Sequence, residues 1–364
     1  MRHGIPGVRV GVTLGLLVGL QMAHPASALQ AQSLPRLEQS AVIGCLACEG
    51  AEAFGAIQAI AVGPGGGVVV ADRDAPMIRS FDAQGRLTAS FGRRGEGPGE
   101  LGMPAGIAVR PDGRVLIGDI RRLHLTELTA EGEVVRTLRV PSTVMGLNGA
   151  PGGDWVAYQI ANWSDFTATV HLLDEASDSA GTPLPTTGGV IADQHGSGAA
   201  AGLLSSAAGP GGVVAVGYGG LEYRILILDR AGAKQGEIVR DIPRTPRTPQ
   251  EIRDLEEIFR RGPGGAARAD NPEAGATPRP VDPLRPHYPS RALSWDAKGR
   301  LWVRTSRGTG ETLFDLFDPS GSWLGELAVP GEVRTHATGQ GVLATVVSDP
   351  ATEVQRVVVW RVIG

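Results

Sequence analysis

The chain has 364 residues, 53 of them glycine and 26 proline, and a formal net charge of −4. No Gly-X-Y period runs through it, which excludes a collagen helix. The 42% apolar against 20% charged residues exclude a wholly disordered chain, and the glycine and proline content argues against a helical bundle. An all-β protein of short strands and tight turns remains. Lysine occurs only at Lys234 and Lys298, so nearly all basic side chains are arginine. This bias reads as the codon usage of a GC-rich genome, and there is no basic excess of the kind that nucleic-acid binding requires.

In chain order, residues 1–28 read as a separate unit. Arg2, His3 and Arg9 precede an apolar run from Val10 to Leu20, and His24-Pro25-Ala26-Ser27-Ala28 places small residues around a cut after about Ala28. That is the layout of a secretory signal peptide, with an apolar run too short for a comfortable transmembrane span. No Cys follows the cut directly, so a lipid anchor is not expected. The expectation is a soluble periplasmic or secreted protein, not inserted in a membrane after cleavage. Leu37 to Gly44 is β-prone, and Cys45-Leu46-Ala47-Cys48 follows it. In an exported chain this pair is expected to form a local disulfide, with free thiols or a redox or metal pair as alternatives. Glu49 stands where haem attachment would need His.

From residue 56 onward a repeat dominates. An apolar strand meets a Pro/Gly/Asp turn and a second β-rich strand leaves it, first at Ala61-Val62 / Pro64-Gly65-Gly66 / Val68 to Val70. The layout recurs at Pro111-Asp112-Gly113, Pro151-Gly152-Gly153, Pro210-Gly211-Gly212, Asp296 to Gly299 and, degenerately, Gly339-Gln340-Gly341. A second hairpin follows most of them, as at Asp82 to Gly85, Thr129 to Gly132, Asp229 to Gly232 and Asp318 to Gly321; the third copy is loosened around Asp174 to Asp178. Each unit is thus four short strands, the pattern of a propeller blade. The sixth unit supplies only three, and the segment 37–44 is expected to close the ring as its outer strand, which also removes an open edge. The predicted fold is all-β: a six-bladed β-propeller over 29–364, with one helical insertion at 241–289 between blades 4 and 5.

Pro104-Ala105-Gly106-Ile107-Ala108-Val109 followed by Pro111-Asp112-Gly113-Arg114, the run Val69 to Asp72 through Ile78 to Asp82, and Phe91 to Glu100 resemble bacterial six-bladed propellers of the NHL-repeat-like type. The likeness covers residues 51–140 and 288–330. It implies the fold and little about activity, because propellers host many functions.

The chain reverses at every turn. Tight first and third turns therefore fall on one face, and second turns and inter-blade links on the other, where binding is expected. The link Gly92 to Met103 lacks the ending of a phosphate loop and reads as an ordinary connection. The insertion opens with Thr248-Pro249-Gln250-Glu251, a capping box with Pro at the first helical position, and carries Ile252, Leu255, Ile258 and Phe259 on one stripe. Gly262 ends this helix, and a Pro/Gly/Ala-rich stretch to Pro286, expected to be mobile, follows; the insertion is either a lid or a passive cover. Candidate ligand-binding residues on this face are Arg73, Arg93, Arg121, Trp163, Tyr218, Tyr223, His287, Tyr288 and Arg304, arginines beside aromatics that could hold a carboxylate, sugar or peptide.

Some six-bladed propellers are metal-dependent lactonases with carboxylates around a channel ion. The strands expected to line the channel here carry Gln58, Asn148, Arg291 and His336 among their polar residues but no carboxylate, so no metal site, no cofactor and no catalytic residue is assigned. The expected function is an exported, monomeric binding module for a protein or small-molecule ligand, leaning away from an enzyme. A channel hydrolase or lyase with the insertion as lid, and a pure scaffold, are the alternatives.

Overall fold

The computed structural model describes Met1 and residues 34–364, except for 46–47, 49, 75–76, 98, 154, 163–166, most of 175–203, 219–221, 262–280 and 350. Residues 2–33, which hold the expected signal peptide, lie outside this set. Residues 33–364 form one compact unit.

Short apolar strands separated by tight turns pair with their sequence neighbours, and six antiparallel sheets result. Blade 1 comprises Ile57–Val62, Val68–Asp72, Ile78–Phe81 and Leu87–Phe91. Blade 2 comprises Pro104–Val109, Val115–Asp119, His124–Leu128 and Val134–Arg139. Blade 3 has Thr143–Gly149, Val156–Asn162 and Thr167–Leu173, and its outer place is shared by two fragments, Thr182–Pro183 and Gly189–Val190. Blade 4 comprises Ser205–Ala208, Val214–Gly217, Tyr223–Leu228 and Lys234–Arg240. Blade 5 comprises Leu293–Trp295, Leu301–Arg304, Glu311–Phe317 and Trp323–Pro330. Blade 6 has Val333–Gly339, Val342–Ser348 and Gln355–Ile363, and Arg36–Ile43 completes it.

The closing strand pairs from Arg36 opposite Ile363 to Ile43 opposite Val357, so the two ends of the domain share one sheet. Cys45 and Cys48 form a disulfide just beyond it. The first strands of successive blades pack against one another in order, and that of blade 6 returns to blade 1, so the ring is closed.

Six apolar clusters occupy the six seams between neighbouring blades; Val70, Phe81, Val346 and Val359, for example, meet between blades 1 and 6. Second strands are buried on both faces, as at Val68–Asp72, and read as continuous apolar runs, whereas the outer strand Leu87–Phe91 alternates with solvent. Asp at the start of many turns accepts the backbone N–H groups two and four residues on, as Asp229 does from Ala231 and Ala233 and Asp318 does from Ser320 and Ser322. Gly299 closes one such turn at a φ of 77°, a conformation that a side chain would strain.

The α-helix Pro249–Arg261 leaves the ring between blades 4 and 5. Its capping box is formed: Glu251 N–H donates to Thr248 Oγ1 (3.2 Å) and Thr248 N–H donates to Glu251 Oε2 (2.8 Å). The two legs of the insertion are tied together by Arg244, which donates to Asp282 Oδ2 and to the carbonyls of Leu284 and Arg285. The stretch at 262–280 lies outside the described residues.

Candidate ligand-binding site

Counting along each second strand from its hairpin defines layers around the channel. The fourth residue is Ala71 in blade 1, Gly118 in blade 2, Gly217 in blade 4 and Arg304 in blade 5, opposite Ala59, Gly106, Ser205 and Ala292 of the first strands. Small residues suit this layer because neighbours press on it: a Cβ on Gly118 would stand 2.5 Å from Val144 Cγ1. The fifth residue is Asp72 or Asp119 in blades 1 and 2. Asp72 accepts from Gly55 and Ala56 N–H, and Asp119 from Gly102 and Met103 N–H, so each carboxylate fastens the lead-in of its own first strand. Thr305 takes this place in blade 5.

Arg304 therefore ends a buried strand. It is 8% exposed and donates to Val333 O (2.9 Å) and Ser290 O (3.2 Å), while its Nε has no partner among the described residues. Arg291, held at a φ of 53°, donates across the channel to Gln58 O (2.8 Å) and Ala105 O (3.0 Å). His336 on the first strand of blade 6 is 6% exposed, meets the Phe314 ring edge-on at 4.9 Å and has no hydrogen-bond partner at either nitrogen among the described residues. Burial, and secondarily the field of Arg291, pushes the Arg304 pKa down to about 9. Burial, and then Arg304, holds His336 well below the ordinary histidine value, so it is neutral at pH 7. Arg291 is lowered by burial.

Arg304 also lines a pocket of about 410 Å³ on the link face. Arg247 and Glu251 of the insertion, Arg285 of its returning leg, Ser290, and Glu332 of the link to blade 6 share the lining. Arg285 is fixed by Glu251 (2.9 Å) and by the Ser306 and Gly308 carbonyls. At the opposite mouth of the channel a cavity of about 210 Å³ is rimmed by the ends of all six first strands, with Asn148, Ser294 and Thr338 among its polar residues. Asn148 donates to Ser206 O there.

The remaining candidates are scattered. Arg73 and Arg121 are exposed, and exposed Arg93 pairs with Glu100 at 2.7 Å; none of the three lines the link-face pocket. Trp163 lies outside the described residues. Tyr218 is half-buried, and burial raises its phenol pKa. Tyr223, His287 and Tyr288 do not project from the loop face but are buried in the seam between blades 4 and 5. The Tyr223 hydroxyl donates to Asp315 (2.8 Å), the Tyr288 hydroxyl donates to Arg224 O (2.6 Å), and His287 packs on the Tyr223 ring. Aromatic area is worth more in a seam than in water, which is why the chain returning from the insertion buries them. Arg304 likewise belongs to a strand, not a loop. Arg247, Glu251 and Arg285 carry no site signal in the sequence beyond the capping box at Thr248–Glu251. Among the described residues no group of three or more His, Cys, Asp or Glu is placed to hold a metal ion.

No family model matches the chain, and no curated protein matches it in sequence. Its fold is similar to solved structures at low identity. A DUF4221 family member from Bacteroides vulgatus matches at 10% identity and a TM-score of 0.57, over 91% of this chain and 98% of that one. A Bacteroides fragilis protein described as a candidate exported protein matches at 12% identity and a TM-score of 0.53, over 91% and 96%. Virginiamycin B lyase from Staphylococcus aureus reaches a TM-score of 0.45 at 14% identity, over 85% and 81%. The two Bacteroides likenesses agree with the six-bladed propeller and establish the fold alone.

Proposed function

We propose that this protein is an exported propeller of NHL-like type that binds a small ligand or a partner segment on its link face. The observation that carries this reading is the pocket of about 410 Å³ in which the insertion and blade 5 meet. Its polar groups converge from three separate segments, the entry and first turn of the helix at Arg247 and Glu251, the returning leg at Arg285 and the blade at Arg304, as ligand sites do. Among the described residues no helix is long and apolar enough to cross a membrane. Export rests on the Arg2–Ala28 layout, a disulfide of the kind that persists outside the cytosol, and the candidate exported neighbour.

Thermal-shift screening of the chain from Leu29 against sugars, peptides, lactones and organic acids tests the binding reading. A ligand found this way should lose at least tenfold in affinity when Arg285 or Arg247 is changed to Ala. If Asn148→Ala on the opposite mouth abolishes binding and the Arg285 and Arg247 changes do not, the link-face reading is wrong. Sequencing the N-terminus of the exported protein tests the cut after Ala28.

A further inference from the structure

The buried arginines of this chain fall into two kinds. Arg79, Arg110 and Arg300 are each at most 3% exposed, and each lies against a buried acid: Asp72 at 2.6 Å, Glu127 at 2.9 Å and Asp296 at 2.6 Å. Arg304 is also buried, at 8% exposed, yet among the described residues no carboxylate lies within 4.0 Å of it or of Arg291. Its hydrogen bonds go to neutral carbonyls. A buried charge without a counter-ion is costly, and two cations near one another compound the cost. His336, the third ionisable group of this cluster, is neutral and cannot relieve it. What the cluster lacks is one negative charge, and Arg304 borders a cavity open to the link face that could admit it.

The pocket narrows the class. Glu251, Glu311 and Glu332 also line it. Arg285 neutralises Glu251, but Glu311 and Glu332 take part in no ion pair within 4.0 Å among the described residues. They would repel a doubly charged phosphate more strongly than a singly charged carboxylate. The cavity is also larger than a bare carboxylate needs, which leaves room for the body that carries it. We propose that the link-face pocket takes a small molecule or chain end through one carboxylate, with Arg304, supported by Arg291, supplying its counter-charge. This rests on the reading of the link face as the binding face and specifies what is bound there.

Titration calorimetry and thermal shift of the chain from Leu29, at fixed ionic strength, provide the test. The probes are acetate, butyrate and benzoate, their amides, and inorganic phosphate. At least one carboxylate should bind tenfold or more tighter than its amide, and Arg304→Met should erase that preference. Arg304→Met also frees the Val333 and Ser290 carbonyls, so its fold is checked by melting without ligand. Should it fail to fold, Arg291→Met must lower carboxylate affinity at least threefold. Equal binding of acids and amides, phosphate binding tighter than every carboxylate, or a preference that survives Arg304→Met would each overturn the proposal. A neutral compound that binds and is lost on Arg285→Ala would overturn the carboxylate assignment while leaving the link-face reading standing.

Discussion

Blades 1 and 2 and blade 5 have the same four-strand plan but end their second strands differently. In blades 1 and 2 a small residue, Ala71 or Gly118, precedes an aspartate that clasps the lead-in of the same blade. In blade 5 the small residue is Arg304 and the aspartate is Thr305, and the lead-in at Ser290 is held by the guanidinium instead. The clasp of blades 1 and 2 is local, and in blade 1 Arg79 balances its charge. That of blade 5 joins its own lead-in to blade 6 through Val333 and leaves a positive charge beside a cavity. The propeller scaffold survives the exchange because each blade is buried mainly through its seams. One layer position can therefore carry an arginine in place of a small residue without disturbing the ring.

The largest test of this contrast is Asp72→Ala. It strips the acceptor from Gly55 and Ala56 N–H and leaves Arg79 buried and unpaired, a loss expected at about 3–5 kcal/mol in chemical denaturation. Asp119→Ala removes the same backbone clasp without a buried arginine side chain bonded to it and should cost about 1–3 kcal/mol. Equal losses would show that the Arg79 pair does not matter to blade 1. Gly118→Ala should cost about 1–3 kcal/mol through overpacking on Val144, measured by the shift in denaturation midpoint. Thr248→Ala should fray the insertion helix by about 1 kcal/mol, visible as faster amide exchange over 249–254 with little change in global melting.

The smallest expected effect is on pH dependence. His336, His171 and His124 are all held below the ordinary histidine value, by burial first in each case. The unfolded chain then binds more protons than the folded one below about pH 6.5. Stability is full above that point and declines as the pH falls toward the folded-state values. His336→Phe should flatten this decline; an unchanged slope between about pH 6.5 and 5 would show that His336 is hydrated in the fold.

Much of the fold was legible in the amino-acid order. Short apolar runs closed by Pro-Asp-Gly or Pro-Gly-Gly turns specify hairpins through local backbone preferences, and six recurrences at blade spacing specify the ring. The closing strand at Arg36–Ile43 was legible because the last blade was one strand short. The capping box at Thr248–Glu251 announced the helix, since both partners lie within one turn. Leu-Trp-Val-Arg at 301–304 also carried a signal: aligned from its hairpin, it puts Arg304 where Ala71 and Gly118 stand.

The site itself was decided by tertiary structure. Tyr223 and Tyr288 look like surface aromatics in sequence, and only the docking of the returning insertion against blade 4 shows that they fill a seam. Arg304 and Arg291 look like any other arginines of an arginine-rich chain. What sets them apart is the absence of an acid within reach among the described residues, a property of residues far apart in sequence. Local order thus determined turns, strands, blade count and closure, which depend on neighbours in the chain. Charge balance depends on neighbours in space, and only the closed ring brings blades 5, 6, 1 and 2 around one channel.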